Sequence, residues 1–376
     1  MIYKQFKGME LSALGMGAMR LPVINGDDDN VDEKAAAEMV DYAMAHGINY
    51  YDTAYGYHGG MSEEVMGRAL ARYPRDKYYL ADKFPGYDLS NMPKVKEIFE
   101  EQLKRCGVDH FDFYMFHNVC EMNIEQYLDP RYGIHDFLME QKRNGRIRHL
   151  GFSAHGSVEV MRRFIDAYGD DMEFCQIQLN YVDWTFQDAK GKMELLKQHG
   201  IPCWVMEPVR GGMLARLSHE QASVLKEMRP EEEPVAWSFR FLQSLPDVVV
   251  TLSGMSNMEQ VEANIATYET EKPLNGPEMK RLLEMASEML GKNVPCTACH
   301  YCTGHCPKHI DIPRMIELYN EHTFTGGGFL APMALMAVPE GSRPQDCIGC
   351  GKCAEVCPQT IDIPGIMKDF ALKLKM

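Results

Sequence analysis

At 376 residues, 45% hydrophobic and 25% charged, the chain has an ordinary globular composition, with room for a barrel of roughly 250 residues and a small appendage. Its formal charge of -15 argues against nucleic acid as a partner, because phosphate binding runs on Lys and Arg; residues 291–376 hold eight Lys and Arg against eight Asp and Glu, so the acidic excess lies in residues 1–290. No apolar run approaches the roughly 18 residues of a membrane span, and the opening MIYKQFKGMELSALG has no apolar signal segment, so the expectation is a cytoplasmic enzyme that does not touch membranes.

Along the chain, short β-rich runs alternate with stretches of helical period. The strand candidates are ALGMGAMRL, INYYDTA, YYLADKF, FDFYMFH, IRHLGFS, CQIQLNY, PCWVMEP and VVVTLSG, eight between residues 10 and 270. Between them lie DEKAAAEMVDYAMAHG, EEVMGRALARY and SVEVMRRFIDAYG, amphipathic segments, several closed by a Gly that suits a helix C-cap. Eight alternating units predict an α/β fold of the TIM (β/α)8 barrel type rather than an open sheet, and no GxGxxG follows the first strand. Cys106, Cys120, Cys175 and Cys203 are scattered through these units and read as buried, inert thiols. The charge run RPEEEP at residues 229–234 reads as a helix start.

A barrel places its chemistry at the C-terminal ends of its strands. There the sequence sets Asp52 and Tyr57 after the second strand, Lys83 at the end of the third and His117 at the end of the fourth. Any one of these is unremarkable as a surface or packing residue, but four titratable groups at one mouth suggest chemistry. A Tyr acts as a general acid near neutral pH when an ammonium lowers its pKa, an Asp holds that ammonium, and a His donates a hydrogen bond to a carbonyl oxygen.

The run DTAYGY with Asp52 and Tyr57, ADKFPG with Lys83, and FYMFH with His117 resemble the catalytic tetrad of the aldo-keto reductases, and the resemblance covers nearly all of residues 1–270. It implies a nicotinamide cofactor, NAD or NADP, across the barrel mouth and a small carbonyl or alcohol substrate. The implied cofactor-binding positions are Gly17 and Met19 after the first strand, Ser153 in GFSAH and Gln178 in QLNY near the carboxamide. The list continues with Met206, Glu207, Pro208 and Gly211 in MEPVRGG, and with Ser253, Gly254, Met255, Gln260 and Asn264 in the eighth-strand segment. Three departures stand out. Ala154 replaces the Asn that follows the serine in relatives, Met206 replaces a stacking aromatic, and Gly254 and Gln260 replace the basic residues that grip the adenosine 2′-phosphate. Arg20 and Arg210 are the candidate replacement cations, and His155 beside Ser153 is a candidate for substrate contact or simple capping.

Beyond the barrel, LNGPEMKRLLEMASEML at residues 274–290 predicts a connecting helix, dividing the chain into a barrel over 1–290 and a second domain over 291–376. That domain carries CTACHYCTGHCP, with Cys296, Cys299, Cys302 and Cys306, and CIGCGKCAEVCP, with Cys347, Cys350, Cys353 and Cys357. Both have the bacterial ferredoxin spacing CxxCxxCxxxCP, in which three cysteines grip one [4Fe–4S] cubane and the fourth ligates the other cluster. The expected sets are Cys296, Cys299, Cys302 and Cys357 for one cluster, and Cys306, Cys347, Cys350 and Cys353 for the other. Paired zinc sites use a simpler CxxC…CxxC arrangement. CPKHIDIP and CPQTIDIP extend the repeat at an offset of 51 residues, and Asp311 and Asp362 each open a helix with Pro in its first turn. The intervening HTFTGGGFLAPMALMAV is partly helical in pattern, so the expected module is a small, mainly α-helical ferredoxin-like domain.

Hydride transfer moves two electrons and an iron–sulfur cluster moves one, and no specific motif supports a flavin to connect them. Three readings stay open from sequence: a reductase whose clusters exchange electrons with a redox partner protein, an ordinary carbonyl reductase with structural clusters, and a redox-sensing regulatory protein.

Overall fold

The computed structural model describes residues 1–291, 293–296 and 298–375. The chain forms two compact units, Met1–Ala286 and Ser287–Met376, and the division falls inside the helix Gly276–Leu290.

In the first unit, β1 (Tyr3–Phe6) and β2 (Met9–Ser12) make an antiparallel hairpin. It turns on Lys7 (φ 47°) and Gly8 (φ 84°), two successive left-handed residues of the kind a tight hairpin requires. This hairpin has no counterpart among the expected strands, because YKQF and MELS are too short and too charged to show a strand pattern. The eight expected strands follow as β3 (Leu14–Gly17), β4 (Tyr50–Asp52), β5 (Tyr79–Phe84), β6 (Phe111–Val119), β7 (Ile147–Ala154), β8 (Cys175–Gln178), β9 (Cys203–Met206) and β10 (Val248–Gly254). They pair in parallel in chain order, and β10 returns to β3 in register Gly254 to Gly17, closing the (β/α)8 barrel.

Strands of a closed parallel barrel are covered on both faces, which is why runs such as FDFYMF are apolar almost throughout. The helices between them carry local start and stop signals. Asp32 accepts from Ala35 N–H at the head of Glu33–Ala45, and Ser157 and Asn257 cap Val158–Tyr168 and Met258–Tyr268 in the same way. Gly107, at φ 66°, ends Val95–Cys106.

The bottom of the barrel is filled by rings. Phe113 lies 5.0 Å from Tyr50, 5.3 Å from Phe174 and 5.8 Å from Trp204, and Phe6 of the hairpin closes against Trp204 at 5.0 Å, edge to face. All five are buried. The hairpin is thus a plug whose apolar residue completes a core the strands leave open.

Helices make up the second unit: Ile312–Thr325, Leu330–Met336 and Ile363–Lys373, with shorter turns between them. The side chains of Asp311 and Asp362 accept from Arg314 and Gly365 N–H, and a Pro lies in each first turn. Ile310, Ile312, Ile361 and Ile363 of the repeated Ile-Asp-Ile-Pro segments are buried together with Met315, Met367 and Phe370. Among the described residues, no helix is long and apolar enough to cross a membrane.

Truncating the central ring of this bottom core, Phe113→Ala, should cost about 3–5 kcal/mol of barrel stability, read as a lower unfolding midpoint in denaturant. A cost below about 1 kcal/mol would show that Phe113 is not the keystone of the core.

Candidate active site and cysteine cages

Strand alternation sends Lys83 into the barrel and its neighbour Asp82 outward, and both are buried. The Lys83 ammonium donates to Asp52 Oδ1 at 2.6 Å and to Thr53 O at 2.7 Å, and it lies 5.1 Å from the Tyr57 ring centroid. Burial alone would lower the Lys83 pKa, but Asp52 and Tyr57 outweigh it and hold the group above its usual value, so it stays charged. Burial pushes the Asp52 carboxyl up, and Lys83 opposes this.

Tyr57 differs from the sequence expectation. Burial raises its pKa, and the opposing pull of Lys83 does not bring it below the ordinary phenol value. The phenol therefore stays protonated near neutral pH, which is the state a proton donor needs.

His117 stands 6.1 Å from the Tyr57 ring and 5.2 Å from Tyr87, edge to face with both. The β6–β7 ladder slips between Phe116 and Val119, and Asn118 sits at φ 60°; this bulge takes His117 out of regular pairing at the strand end. Tyr127 O–H donates to the His117 carbonyl at 2.8 Å and steadies the bulge. Burial, then Lys83, lowers the His117 pKa far below the usual imidazole value, so the ring is neutral. Its Nδ1 is buried with no hydrogen-bond partner, as is the second oxygen of Asp52. His155 is likewise held down, to about 3, by burial and then by Lys192.

Several supporting residues carry no recognisable motif. Buried His58 receives Leu21 N–H at Nε2 (3.1 Å) and faces Asp28 O at Nδ1 (2.8 Å), pinning the loop that begins at Tyr57. Tyr87, whose hydroxyl burial pushes up to about 12, adds a second phenol beside His117. Behind β5, burial raises the pKa of both the Asp82 and the Glu63 carboxyl; Arg105 donates to Glu63 Oε2 at 3.0 Å and favours its ionised form, so Asp82, raised further by the Glu63 charge, is the one that holds a proton. Gln102 ties them to the site by donating to Glu63 Oε1 at 3.0 Å and to Lys83 O at 2.9 Å.

The expected cofactor positions divide into two groups. Ser153 and Gln178 are buried at the ends of β7 and β8; Ser153 Oγ accepts from Asn118 N–H at 2.8 Å, and Gln178 Nε2 donates to Asp183 at 2.8 Å. The second group gathers where β10 meets β3. Arg20, 45% exposed, lies along Gly254, where an added Cβ would sit 3.2 Å from its side-chain carbons. Its guanidinium is 3.5 Å from Glu207, which also accepts from Gly211 N–H. Ser253 Oγ accepts from Asn264 at 3.0 Å, and Gln260 accepts from Ser256 N–H at 2.8 Å. Gly17 pairs with Gly254, Met19 is exposed, Met206 is half-buried, and Pro208 is buried. Met255 is wholly buried, so any cofactor contact it makes runs through its backbone. Of the two candidate cations, Arg210 is buried with Nε on Asp183 at 3.0 Å, whereas Arg20 is at the rim.

In the second unit two cavities open among the cysteines. One is lined by Cys296, Cys299, Cys302 and Cys357. The other is lined by Cys306, Cys347, Cys350 and Cys353. The remaining lining is mostly Ile and Pro. No three His, Cys, Asp or Glu side chains among the described residues converge closely enough to hold a single metal ion; the sulfurs stand around cavities instead. The other four cysteines, Cys106, Cys120, Cys175 and Cys203, are buried.

Comparison with known proteins agrees with this geometry. Residues 13–286 match the model of the aldo/keto reductase family, and residues 295–361 match a 4Fe-4S dicluster domain. An NADH-specific methylglyoxal reductase of Escherichia coli is 24% identical over 302 residues, covering 68% of this chain and 89% of that protein. A probable aldo-keto reductase of Glycine max is 27% identical over 217 residues, covering 55% of this chain but only 58% of that protein. Among solved structures, the holo form of an aldo-keto reductase from Bacillus halodurans superposes with a TM-score of 0.61 at 24% identity, over 75% of this chain and 95% of that one. One from Klebsiella pneumoniae in complex with NADPH does so at 0.59 and 18%, over 76% and 96%. At these identities the structural likeness shows the fold.

The Asp82–Glu63 pair gives the barrel a pH signature. Burial, then Glu63, lifts the Asp82 pKa well above its unfolded value, so between the two values the folded state binds the extra proton. Its contribution is fully present below the unfolded carboxyl value near about 4 and is lost as pH rises toward the folded one. Asp82→Asn mimics the protonated acid, so its melting temperature should fall less than that of the wild type between about pH 5 and 8. Parallel melting curves would refute a protonated Asp82.

Proposed function

Because this chain belongs to the aldo/keto reductase family through residues 13–286, we propose that it is a nicotinamide-dependent oxidoreductase acting on a small carbonyl or alcohol, with two [4Fe–4S] clusters carrying single electrons. The observation that carries the reading is the charged Lys83 held by Asp52 against the Tyr57 ring, with neutral His117 opposite.

NADH or NADPH, when bound, supplies the hydride that reduces the carbonyl carbon. Tyr57 gives its hydroxyl proton to the carbonyl oxygen, so hydride and proton together make the alcohol. Lys83 stabilises the phenolate left behind, and Asp52 keeps Lys83 charged without competing for the proton. His117 is neutral, with a buried ring nitrogen that has no protein partner, and it aligns the substrate oxygen by donating a hydrogen bond. The raised Tyr57 pKa fills the acid form and leaves little base, which favours carbonyl reduction over alcohol oxidation near neutral pH.

For the cofactor, Ser153 and Gln178 offer polar groups to a carboxamide. Arg20, Gly211 and Gly254 frame a rim where a phosphate meets one guanidinium and little side-chain bulk. The cysteine cavities suit cubanes, in which each sulfur binds its own iron; Cys296, Cys299, Cys302 and Cys357 hold one, and Cys306, Cys347, Cys350 and Cys353 the other. A redox partner protein supplies or removes those electrons, and the cytoplasm, which keeps thiols reduced, suits such clusters.

Methylglyoxal and simple aldehydes with NADH and NADPH are the first assay. Tyr57→Phe should lower kcat by at least about a hundredfold while cofactor binding, followed by fluorescence, is unchanged. Equal turnover by both proteins would remove Tyr57 from the chemistry. Arg20→Ala should raise the cofactor KM about tenfold with kcat unchanged, the loss of one charge-assisted hydrogen bond; an unchanged KM would place the phosphates elsewhere.

A further inference from the structure

The two cysteine cages are copies of one sequence segment, and setting one copy against the other isolates a charge. Residues 51 positions apart occupy matching places: Pro307, Ile310 and Ile312 line one cage where Pro358, Ile361 and Ile363 line the other. Asp311 and Asp362, the helix caps that follow, also correspond and cancel in the comparison.

The copies depart at a few points. Lys308 lines the cage of Cys306, Cys347, Cys350 and Cys353, and its counterpart lining the other cage is Gln359. His300 lines the cage of Cys296, Cys299, Cys302 and Cys357, where the repeat has Gly351, and His305 lines the Lys308 cage. Neither lining includes an Asp or Glu, so among the described lining residues Lys308 alone carries a permanent charge. Outside the lining, the chain around the Lys308 cage adds both signs, Arg343 and Lys352 against Asp346 and Glu355.

Given the reading that these cages hold [4Fe–4S] clusters, we infer that the clusters are an ordered pair and that Lys308 makes the one held by Cys306, Cys347, Cys350 and Cys353 the first to accept an electron. Each cluster takes one electron and becomes one unit more negative. An ammonium at the cage wall stabilises that added charge, while the Gln359 amide offers only a dipole, so the reduction potential beside Lys308 is the higher. Both side chains are exposed, and solvent screening sets the size of the difference. A Coulomb energy of about 1 kcal/mol corresponds to about a fivefold change in the reduced-to-oxidised ratio, roughly 40 mV for one electron.

The test uses the full chain, purified anaerobically and loaded to about eight iron and eight sulfide per chain. It is poised with dithionite and mediators at about pH 8.5, where ordinary imidazoles are uncharged, and the reduced clusters are followed by electron paramagnetic resonance. The wild type should fit two one-electron potentials roughly 40 mV apart, a titration broader than one Nernst wave. Lys308→Gln should lower the upper wave about fivefold in equilibrium constant and leave the lower one in place, and Gln359→Lys should raise the lower wave. One common potential in the wild type, or two waves that ignore both substitutions in loaded protein, overturns the inference. A chain that cannot be loaded with iron overturns the cluster reading itself, and this inference with it.

Discussion

Everything at the barrel mouth depends on keeping one ammonium charged where almost no water reaches it. Lys83 is 1% exposed, and a lone cation there would shed its proton rather than bear the desolvation. Asp52 at 2.6 Å and the Thr53 carbonyl at 2.7 Å replace the lost water. A buried pair of this kind is weak as a source of stability, and removing one partner strands the other. Its value is electrostatic: the charge lies against the Tyr57 ring, where it can meet a phenolate, and adds to the burial that lowers the pKa of His117, while burial keeps Tyr57 protonated, so phenol and imidazole are both neutral hydrogen-bond donors. A protonated Asp82 spares the outer face of β5 a buried, unpaired charge beside Glu63, which Arg105 pairs at 3.0 Å.

That arrangement needs a rigid frame, and the frame comes from the lower half of the barrel. Phe113, Tyr50, Phe174, Trp204 and Phe6 fill the bottom, so the strand ends can carry polar groups without opening the core. The loops are fixed individually: His58 pins the turn at Tyr57, and Tyr127 holds the bulge at His117. The rim near Arg20 is built differently, from Gly17, Gly211 and Gly254, with open backbone around one cation.

The second unit solves another problem. A module of its size has a small core, mainly Ile, Met and one Phe, and modules of this size commonly rely on covalent or metal links. Each cage takes three cysteines from one run and one from the other, so filling both cages ties the two halves of the repeat together. Sequence symmetry makes the cages alike, and Lys308 opposite Gln359 makes them electrically different.

The barrel and its eight staves were legible in the sequence because strand and helix periods are local, and the caps Asp311 and Asp362 are local too. The dicluster module was legible because the spacing of its cysteines is local and repeated. The β1–β2 hairpin was not, since its two strands are short and gain their meaning only from the open barrel end that Phe6 fills. Nor were His58, Tyr87, Glu63 and Gln102, whose partners lie far along the chain. The sequence named two candidate cations and expected Lys83 to lower the Tyr57 pKa. The tertiary structure buried Arg210 on Asp183, left Arg20 at the rim, and surrounded Tyr57 closely enough for desolvation to outweigh its neighbour. Residue type and spacing determine which groups reach the barrel mouth and which cysteines form a set. Only packing decides how much water each group keeps, and that sets its charge.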